Sequence, residues 1–99
     1  MILSFADQET ADIYNGISSK KARKRLHNVL WEKAQTKLDM LNRASRLGDL
    51  KVPPNNRLEE LKKDLAGKYS IRINDQYRVI FNWEPEQSGV SEVKIIDYQ

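Results

Sequence analysis

The sequence predicts an α+β fold in which N-terminal helices pack on one face of a small antiparallel β-sheet. In the first half of the chain, apolar residues recur at steps of three and four between Leu26 and Leu47, the spacing of one buried helix face. After Pro53 and Pro54 this pattern gives way to three runs rich in β-branched and aromatic residues, with turn residues between them. Helices followed by an antiparallel meander leave the second face of the sheet uncovered.

The chain opens with a short apolar segment, residues 2–5, that is predicted to form a strand. Asp7 can then cap the N-terminus of a short helix that runs through Tyr14. Asn15-Gly16 is expected to end this helix, because glycine readily adopts the left-handed conformation found after helix C-termini.

A long helix is predicted over residues 26–47, and Gly48-Asp49 supplies its stop signal. Val29 and Trp31 widen its apolar stripe, whereas Lys37 lies off it. The stripe itself consists of Leu26, Leu30, Ala34, Leu38, Leu41, Ala44 and Leu47.

Residues 52–56 are predicted to form an extended connector, because proline lacks the amide donor that a helix needs and restricts the residue before it.

Trp31, Phe81 and Trp83 are spaced as core residues rather than as a stacking platform for bases. The predicted strands are residues 69–73, 77–83 and 90–98, joined by hairpin loops at 74–76 and 85–89.

A chain of 99 residues can bury one core, so residues 1–99 are expected to form a single domain. Cysteine is absent and His27 is the only histidine, which excludes a Cys-type zinc site and makes a His-rich metal site untenable. We therefore expect neither metal nor cofactor, and a structural or surface role for His27. Nothing near the N-terminus resembles a signal peptide, so we expect a cytoplasmic location without membrane contact.

The net charge is only +3, but five of the 17 Lys and Arg side chains cluster within residues 20–25. Such a cluster can bind nucleic-acid phosphates without sequence preference, or it can bind an acidic partner protein. Composition alone does not distinguish these two uses.

The predicted strand at residues 77–83 indicates which face of the sheet is open. Its odd-numbered residues are large and apolar and should face the helices, which turns Arg78 and Asn82 outward. With a three-residue turn before this strand, Arg72 lies across the hairpin from Arg78, a like-charge pair that a phosphate would relieve. Alternatively, Arg72 pairs with Asp75 or another acid at the sheet edge, and the pattern favours neither.

Residues 57–62 place two carboxylates beside a lysine just before the sheet, a mixture suited to moving a proton near a phosphate. The same residues can equally stabilise a turn or a helix end.

At the other end of the chain, a final strand with polar residues at its tip brings them to the rim of the sheet. There Tyr98 can donate a proton or stack on a base.

Residues 56–61 (NRLEEL), residues 67–78 (GKYSIRINDQYR) and the ending Asp97-Tyr98 together resemble the HigB group of the RelE/ParE toxin superfamily. The resemblance extends over nearly the whole chain and implies helices packed on a small antiparallel sheet. It further implies cleavage of messenger RNA in the decoding site of the 70S ribosome. The expected partner is a HigA-like antitoxin with a helix-turn-helix domain, so that operator DNA is contacted only through the antitoxin.

By the same resemblance, the 2′-hydroxyl attacks the adjacent phosphate and no metal is required. Glu59 takes the position of the proton acceptor, Lys62 that of a phosphate-binding lysine, and Arg78 that of the arginine that stabilises the transition state. Asp97 and Tyr98 match the C-terminal pair that completes the family site. The expected catalytic residues are thus Glu59, Lys62, Arg78, Asp97, Tyr98 and Gln99, and the expected RNA-binding residues are Arg57, Lys68 and Arg72.

The last residue departs from the family pattern, because HigB-like chains commonly end Asp-Tyr-His and this chain ends in Gln99. Glutamine cannot exchange protons near neutral pH as imidazole can, so the general acid stays open. Tyr98 can take that role, the ribosome can supply it, or the toxin is weakened. Two alternatives to a ribonuclease also stay open: a co-repressor module that holds the antitoxin on operator DNA, and a ParE-like inhibitor of DNA gyrase.

Overall fold

The structure, a computed structural model, describes residues 1–98, and within them three α-helices precede a four-stranded antiparallel sheet. This arrangement confirms the predicted α+β class. The helices are α1 (Gln8–Asn15), α2 (Lys20–Arg25) and α3 (Trp31–Arg43). The strands are β1 (Glu59–Glu60), β2 (Tyr69–Arg72), β3 (Tyr77–Glu84) and β4 (Gly89–Asp97). Short 3₁₀ turns lie at Asn28–Leu30, Leu47–Lys51, Pro54–Asn56, Lys63–Leu65 and Pro85–Gln87.

The sheet is a meander whose strands neighbour one another in chain order. The strands predicted at residues 69–73, 77–83 and 90–98 are confirmed as β2, β3 and β4. β1 was not predicted from the sequence. It has only two residues and pairs with β2, with Glu59 opposite Ser70 and Glu60 opposite Tyr69.

The core lies between one face of the sheet and the helices α1 and α3. Phe81 is fully buried and Trp31 nearly so, while Trp83 is partly buried and packs against the core cluster, which confirms all three as core residues. The N-terminal segment predicted as a strand runs parallel to β4 and makes only isolated bridges, from Ile2 and Phe5. These bridges cover part of the outer edge of β4.

The ends of α1 confirm the capping prediction. The Asp7 carboxylate accepts the backbone N–H of Thr10 at 2.9 Å, and Gly16 ends the helix in the left-handed conformation with φ 73°. Arg25 of α2 also donates to this carboxylate at 2.6 Å. Burial alone would raise the pKa of Asp7, but the hydrogen bonds from Thr10 and the contact with Arg25 outweigh it and lower the pKa below its ordinary value.

The long helix is shorter than predicted, because local polar contacts interrupt the pattern at both ends. Before α3, Leu26 has extended backbone angles and His27 caps a 3₁₀ turn instead. After α3, the Asp49 carboxylate accepts the backbone N–H groups of Ser45 and Arg46. The prediction of one helix over residues 26–47 is therefore wrong in its extent, since the α-helix itself covers 13 residues.

Two side chains of this region lie opposite to their predicted positions. Val29, assigned to the apolar stripe, is 73% exposed, because it belongs to the 3₁₀ turn and not to α3. Lys37, placed off the stripe, is buried, because its ammonium group donates a hydrogen bond to the Asn56 side chain. A buried lysine needs such a partner, which periodicity does not reveal.

The connector at residues 52–56 is also not extended throughout as predicted. Pro54–Asn56 forms a 3₁₀ turn after a cis Val52–Pro53 peptide bond, and Arg57 follows in the left-handed conformation with φ 46°. Separately, none of the helices within residues 1–98 has both the length and the apolar character needed to span a bilayer.

Candidate active site

Arg78 lies on the sheet face opposite the helices, as predicted, but this face is not open around it, because Ser70 and Ile80 on the same face are also buried and buried contacts fix the Arg78 guanidinium. Only 6% of this residue is exposed. Its Nε donates to Ser70 Oγ at 2.8 Å, and its Nη2 donates to the backbone carbonyl of Arg57 at 2.6 Å. Within residues 1–98 no hydrogen-bond acceptor engages Nη1, so the guanidinium is held firmly while it keeps N–H donors for a ligand in the adjoining cleft.

Tyr98 stands next to this guanidinium. The Arg78 Cζ atom lies 5.3 Å from the centre of the Tyr98 ring, a cation–π contact. The backbone N–H of Tyr98 donates to the carbonyl of Gln76 at 2.8 Å, which ties the residue after β4 to the β2–β3 turn. Because Tyr98 is still 47% exposed, its ring can contact a ligand as well as Arg78.

Glu59 reaches the same face through β1, the strand that the sequence did not predict. Its register partner is Ser70 on β2, the residue that holds the Arg78 side chain, so β1 and β3 supply the carboxylate and the guanidinium from either side of β2. Glu59 and Tyr98 line two adjoining clefts. The cleft of about 280 Å³ is completed by Arg57, Arg72, Asn74, Asp75 and Arg78, and the cleft of about 480 Å³ by Glu60, Leu61, Lys62 and Lys63.

Arg72 lies directly across the hairpin from Arg78, which confirms the predicted register. Its guanidinium is paired with the carboxylate of Asp75, so the alternative considered for Arg72 is the arrangement observed. The Asp75 side chain is 91% exposed, and ion pairs as open to water as this one contribute little. A phosphate entering the cleft can therefore compete with Asp75 for Arg72.

The two predicted lysines differ in their relation to the clefts. Lys62 is exposed and lines the larger cleft together with Glu59 and Tyr98. Lys68 is half-buried and donates to the side-chain oxygen of Asn82 at 3.1 Å. Lys68 lines neither cleft, so the structure does not bring it to the cluster formed by the other cations.

Asp97, another predicted site residue, does not face the clefts. It pairs with Tyr77 across the strands, and Tyr77 packs against the core, so Asp97 lies on the opposite face of the sheet from Arg78. There its carboxylate accepts a hydrogen bond from Gln76 Nε2 at 2.9 Å. Its catalytic role stays a prediction, without support from a shared face. Gln99, the last predicted site residue, lies outside the described residues.

The sequence did not single out several residues that line these clefts or support them, among them Asn74, Ser70 and Lys63. Ser70 is fully buried and orients Arg78; its signal was a small hydroxyl residue on the same strand face as Arg72. Lys63 lines the larger cleft, and its backbone has a positive φ of 59°. Nothing in the sequence separates Lys63 from an ordinary solvated lysine.

The basic segment at residues 20–25 forms α2, which packs against α1 and reaches β4, at the sheet edge opposite β1, through Arg25. Arg25 donates to the Ile95 carbonyl and pairs with Asp7 and Glu9, so this cation has a structural role. His27 is exposed and its Nδ1 accepts the backbone N–H of Val29, which confirms a structural or surface role.

Toxins with the same fold are present among the solved structures. The YoeB–YefM complex from Staphylococcus aureus matches with a TM-score of 0.62 at 20% identity, over 100% of this chain and 95% of that chain. A YoeB/ParE toxin from Agrobacterium tumefaciens matches with a TM-score of 0.51 at 19% identity, over 97% of this chain and 92% of that chain. At these identities the likeness shows a shared fold, that of the YoeB and RelE toxins.

Sequence comparison defines the family within this class. The model of the HigB-like toxins, RelE-like toxins of type II toxin–antitoxin systems, matches residues 3–98. Toxin HigB-1 of Vibrio cholerae serotype O1 is 38% identical over an 86-residue alignment that covers 84% of this chain and 84% of that protein. An uncharacterized protein of Haemophilus influenzae is 39% identical over 69 residues, 70% of this chain and 64% of that protein. The chain therefore belongs to the HigB-like toxins of type II toxin–antitoxin systems.

Proposed function

We propose that this toxin is a ribosome-dependent endoribonuclease that cleaves messenger RNA by metal-independent attack of a ribose 2′-hydroxyl on the adjacent phosphate. The observation that carries this proposal is that Glu59, Arg78 and Tyr98 line one cleft on the sheet face opposite the helices. These side chains supply a carboxylate, a guanidinium and a phenol. Such a set can accept a proton, stabilise a phosphorane and donate a proton, which are the requirements of this reaction.

Glu59 is proposed as the proton acceptor. It is exposed and lies at the junction of both clefts, where a carboxylate can accept the proton of an incoming 2′-hydroxyl. As the proton leaves, the 2′-oxygen forms a new bond to phosphorus. The bond between phosphorus and the 5′-oxygen then breaks, and the products are a 2′,3′-cyclic phosphate and a free 5′-hydroxyl.

The cations on both sides of Glu59 are proposed to bind the phosphate and the neighbouring backbone of the RNA. Arg78 is held by Ser70 and by the Arg57 carbonyl before any ligand arrives, so it can stabilise negative charge without being reordered. Lys62 lies on the other side of Glu59, in the larger cleft. Arg57 and Arg72 add charge beside Arg78.

Tyr98 is the proposed general acid for the leaving 5′-oxygen. It is the neutral proton donor that lines both clefts within residues 1–98, and its ring is ordered against Arg78. A phenol is a weaker acid than an imidazolium, so slow cleavage is expected where a histidine would be faster.

The ribosome is proposed to arrange the substrate. Both clefts are open, and Glu59, Lys62 and Tyr98 are all exposed, so the toxin alone offers little enclosure to hold a flexible RNA chain in the reacting geometry. The proposed partners are the 70S ribosome with its messenger RNA and a HigA-like helix-turn-helix antitoxin, with a cytoplasmic location. The fold match to a YoeB–YefM complex is consistent with an antitoxin partner.

The test is single-turnover cleavage of messenger RNA on programmed 70S ribosomes. Glu59→Gln removes the proton acceptor with little change in shape and should slow cleavage by about 10²- to 10⁴-fold. Arg78→Lys keeps one charge but loses the two fixed N–H contacts, and should slow cleavage by about 10²-fold or more. Glu86→Gln, at the exposed turn beyond the far end of β3, is the matched control and should leave the rate unchanged.

Unchanged cleavage by Glu59→Gln or Arg78→Lys would contradict the proposal. A wild-type toxin that cleaves no RNA on ribosomes would contradict it as well, and two further assays then identify the activity. Inhibition of DNA supercoiling indicates a gyrase inhibitor, whereas tighter operator binding by the antitoxin indicates a co-repressor.

A further inference from the structure

The turn before Arg57 is held by a buried polar side chain that the proposed mechanism does not use. Asn56 is fully buried at the end of the Pro54–Asn56 turn. Its Nδ2 donates to the carbonyls of Leu50 at 3.2 Å and Val52 at 3.4 Å, and its Oδ1 accepts from the ammonium group of Lys37. One amide thus connects the turn to the preceding loop and to α3.

This connection continues directly to the candidate active site. Arg57, the next residue, has a left-handed backbone with φ 46° and ψ 56°, a conformation that residues other than glycine rarely adopt without support. In this conformation the carbonyl of Arg57 accepts a hydrogen bond from Arg78 Nη2 at 2.6 Å. The position of that carbonyl depends on the turn that Asn56 holds.

We propose that Asn56 is a positioning residue for RNA cleavage: by holding the Pro54–Asn56 turn, it sets the Arg57 carbonyl that orients the Arg78 guanidinium. This inference rests on the proposed ribonuclease function, because only then does the orientation of Arg78 govern a rate. Arg78 has two independent supports, Ser70 Oγ from the sheet and the Arg57 carbonyl from the turn. Asn56 controls the second of them.

The contact with Lys37 gives Asn56 a partner on α3 in addition to the carbonyls of its own turn. Lys37 is 5% exposed, and burial together with the nearby charges of Lys33 and Arg72 lowers its pKa. Burying an ammonium group is costly, so a fold that needed only a filled core at this point would be served by an apolar residue. The amide oxygen of Asn56 is the acceptor that makes this burial tolerable, and α3 is thereby linked to the active-site turn.

The test compares Asn56→Ala with the wild-type toxin in two measurements. The first is single-turnover cleavage on programmed ribosomes, where we expect a rate reduced by about 10- to 100-fold with ribosome affinity nearly unchanged, since a small misplacement of a catalytic group acts on the chemical step. The second is the NMR signal of the Arg78 Nε–H group in the free toxin, assigned with Arg78→Lys. We expect this signal to shift and its hydrogen exchange to accelerate.

Two further variants keep the inference falsifiable if Asn56→Ala folds poorly. Lys37→Met removes the donor from α3 but leaves the turn residues intact and relieves a buried charge, so it should fold and show a smaller effect in the same direction. Ile13→Val removes one methylene from the core at α1, away from the turn. It should lower thermal stability without changing the Arg78 signal or the cleavage rate at a temperature where it is folded.

The two proposals fail in different ways. An Arg78 signal unchanged in Asn56→Ala and Lys37→Met overturns the positioning role, whatever the cleavage rate. A shifted signal with full cleavage by folded Asn56→Ala also overturns it, because the orientation then does not matter for the reaction. A shifted signal in a toxin whose wild type does not cleave RNA supports the control of Arg78 by Asn56 and overturns the ribonuclease proposal alone.

Discussion

Replacing Tyr98 by phenylalanine separates two roles that one side chain combines in the cleft. The phenol is the proposed proton donor, and the ring also contacts the Arg78 guanidinium at 5.3 Å. Tyr98→Phe keeps the ring and removes only the hydroxyl, whereas Tyr98→Ala removes both. Because the residue is 47% exposed, the ring contact belongs at the lower end of the cation–π range, about 0.5–1 kcal/mol.

These values give distinct expectations for the two variants. Loss of a general acid should slow single-turnover cleavage by about 10²- to 10⁴-fold in Tyr98→Phe. Tyr98→Ala should lose a further factor of about two to five, the equivalent of 0.5–1 kcal/mol of ring contact. The assay is single-turnover cleavage on programmed ribosomes, in which the wild-type toxin, Tyr98→Phe and Tyr98→Ala are compared under one set of conditions.

A Tyr98→Phe rate within a few-fold of wild type would refute the assignment of the general acid to Tyr98. If Tyr98→Ala were then slow, the ring would be a positioning or stacking element and the proton would come from elsewhere, such as the ribosome. Equal and large losses in both variants would assign the whole effect to the hydroxyl.

Three further predictions concern charge. Asp75→Asn should free Arg72 from its ion pair and tighten toxin binding to programmed ribosomes by a few-fold, with a steeper dependence of affinity on salt; an unchanged salt dependence would show that Arg72 serves only its contact with Asp75. Because the pKa of Asp7 is lowered on folding, its charged form contributes stability above the ordinary value of 3.8, and this contribution is lost as the pH falls through the pKa of the folded state. Asp7→Asn keeps a good N-cap but loses the ion pair with Arg25, so it should lower the free energy of unfolding by about 0.2–1 kcal/mol at pH 7 in denaturant titrations, and the difference from wild type should shrink below pH 4. A difference that grows in acid would reverse the sign of this argument. Gln99→His should accelerate messenger RNA cleavage near neutral pH, and no gain in rate would count against the interpretation that Gln99 weakens the activity of the toxin.

The sheet could be predicted from the sequence because its signals are local. Alternation along residues 77–83 indicated the buried face, and the short turn before that strand gave the register that pairs Arg72 with Arg78. β1 escaped prediction because two residues cannot show an alternation, and only their pairing with β2 defines them as a strand. Glu59 was therefore proposed from family resemblance, and its position on the face opposite the helices came only from the structure.

The helical half was harder to predict because competing polar contacts decide where its elements end. The apolar stripe continues through Leu26 and Ala44, but both residues have extended backbone angles. The carboxylate of Asp49 captures two backbone N–H groups that would otherwise belong to a longer helix. Likewise, the burial of Lys37 depends on Asn56, which lies 19 positions away, a distance over which periodicity carries no information.

The N-terminal bridges to β4 have a consequence for the folding of the toxin. Ile2 and Phe5 pair with Val90 and Val93, so the edge of the sheet is closed by segments that lie far apart in the chain. Contacts this distant in sequence are slow to form. A chain in which β4 has not yet paired lacks both a closed core and the contact of Tyr98 with Arg78, so we expect the cleft to be completed late in folding.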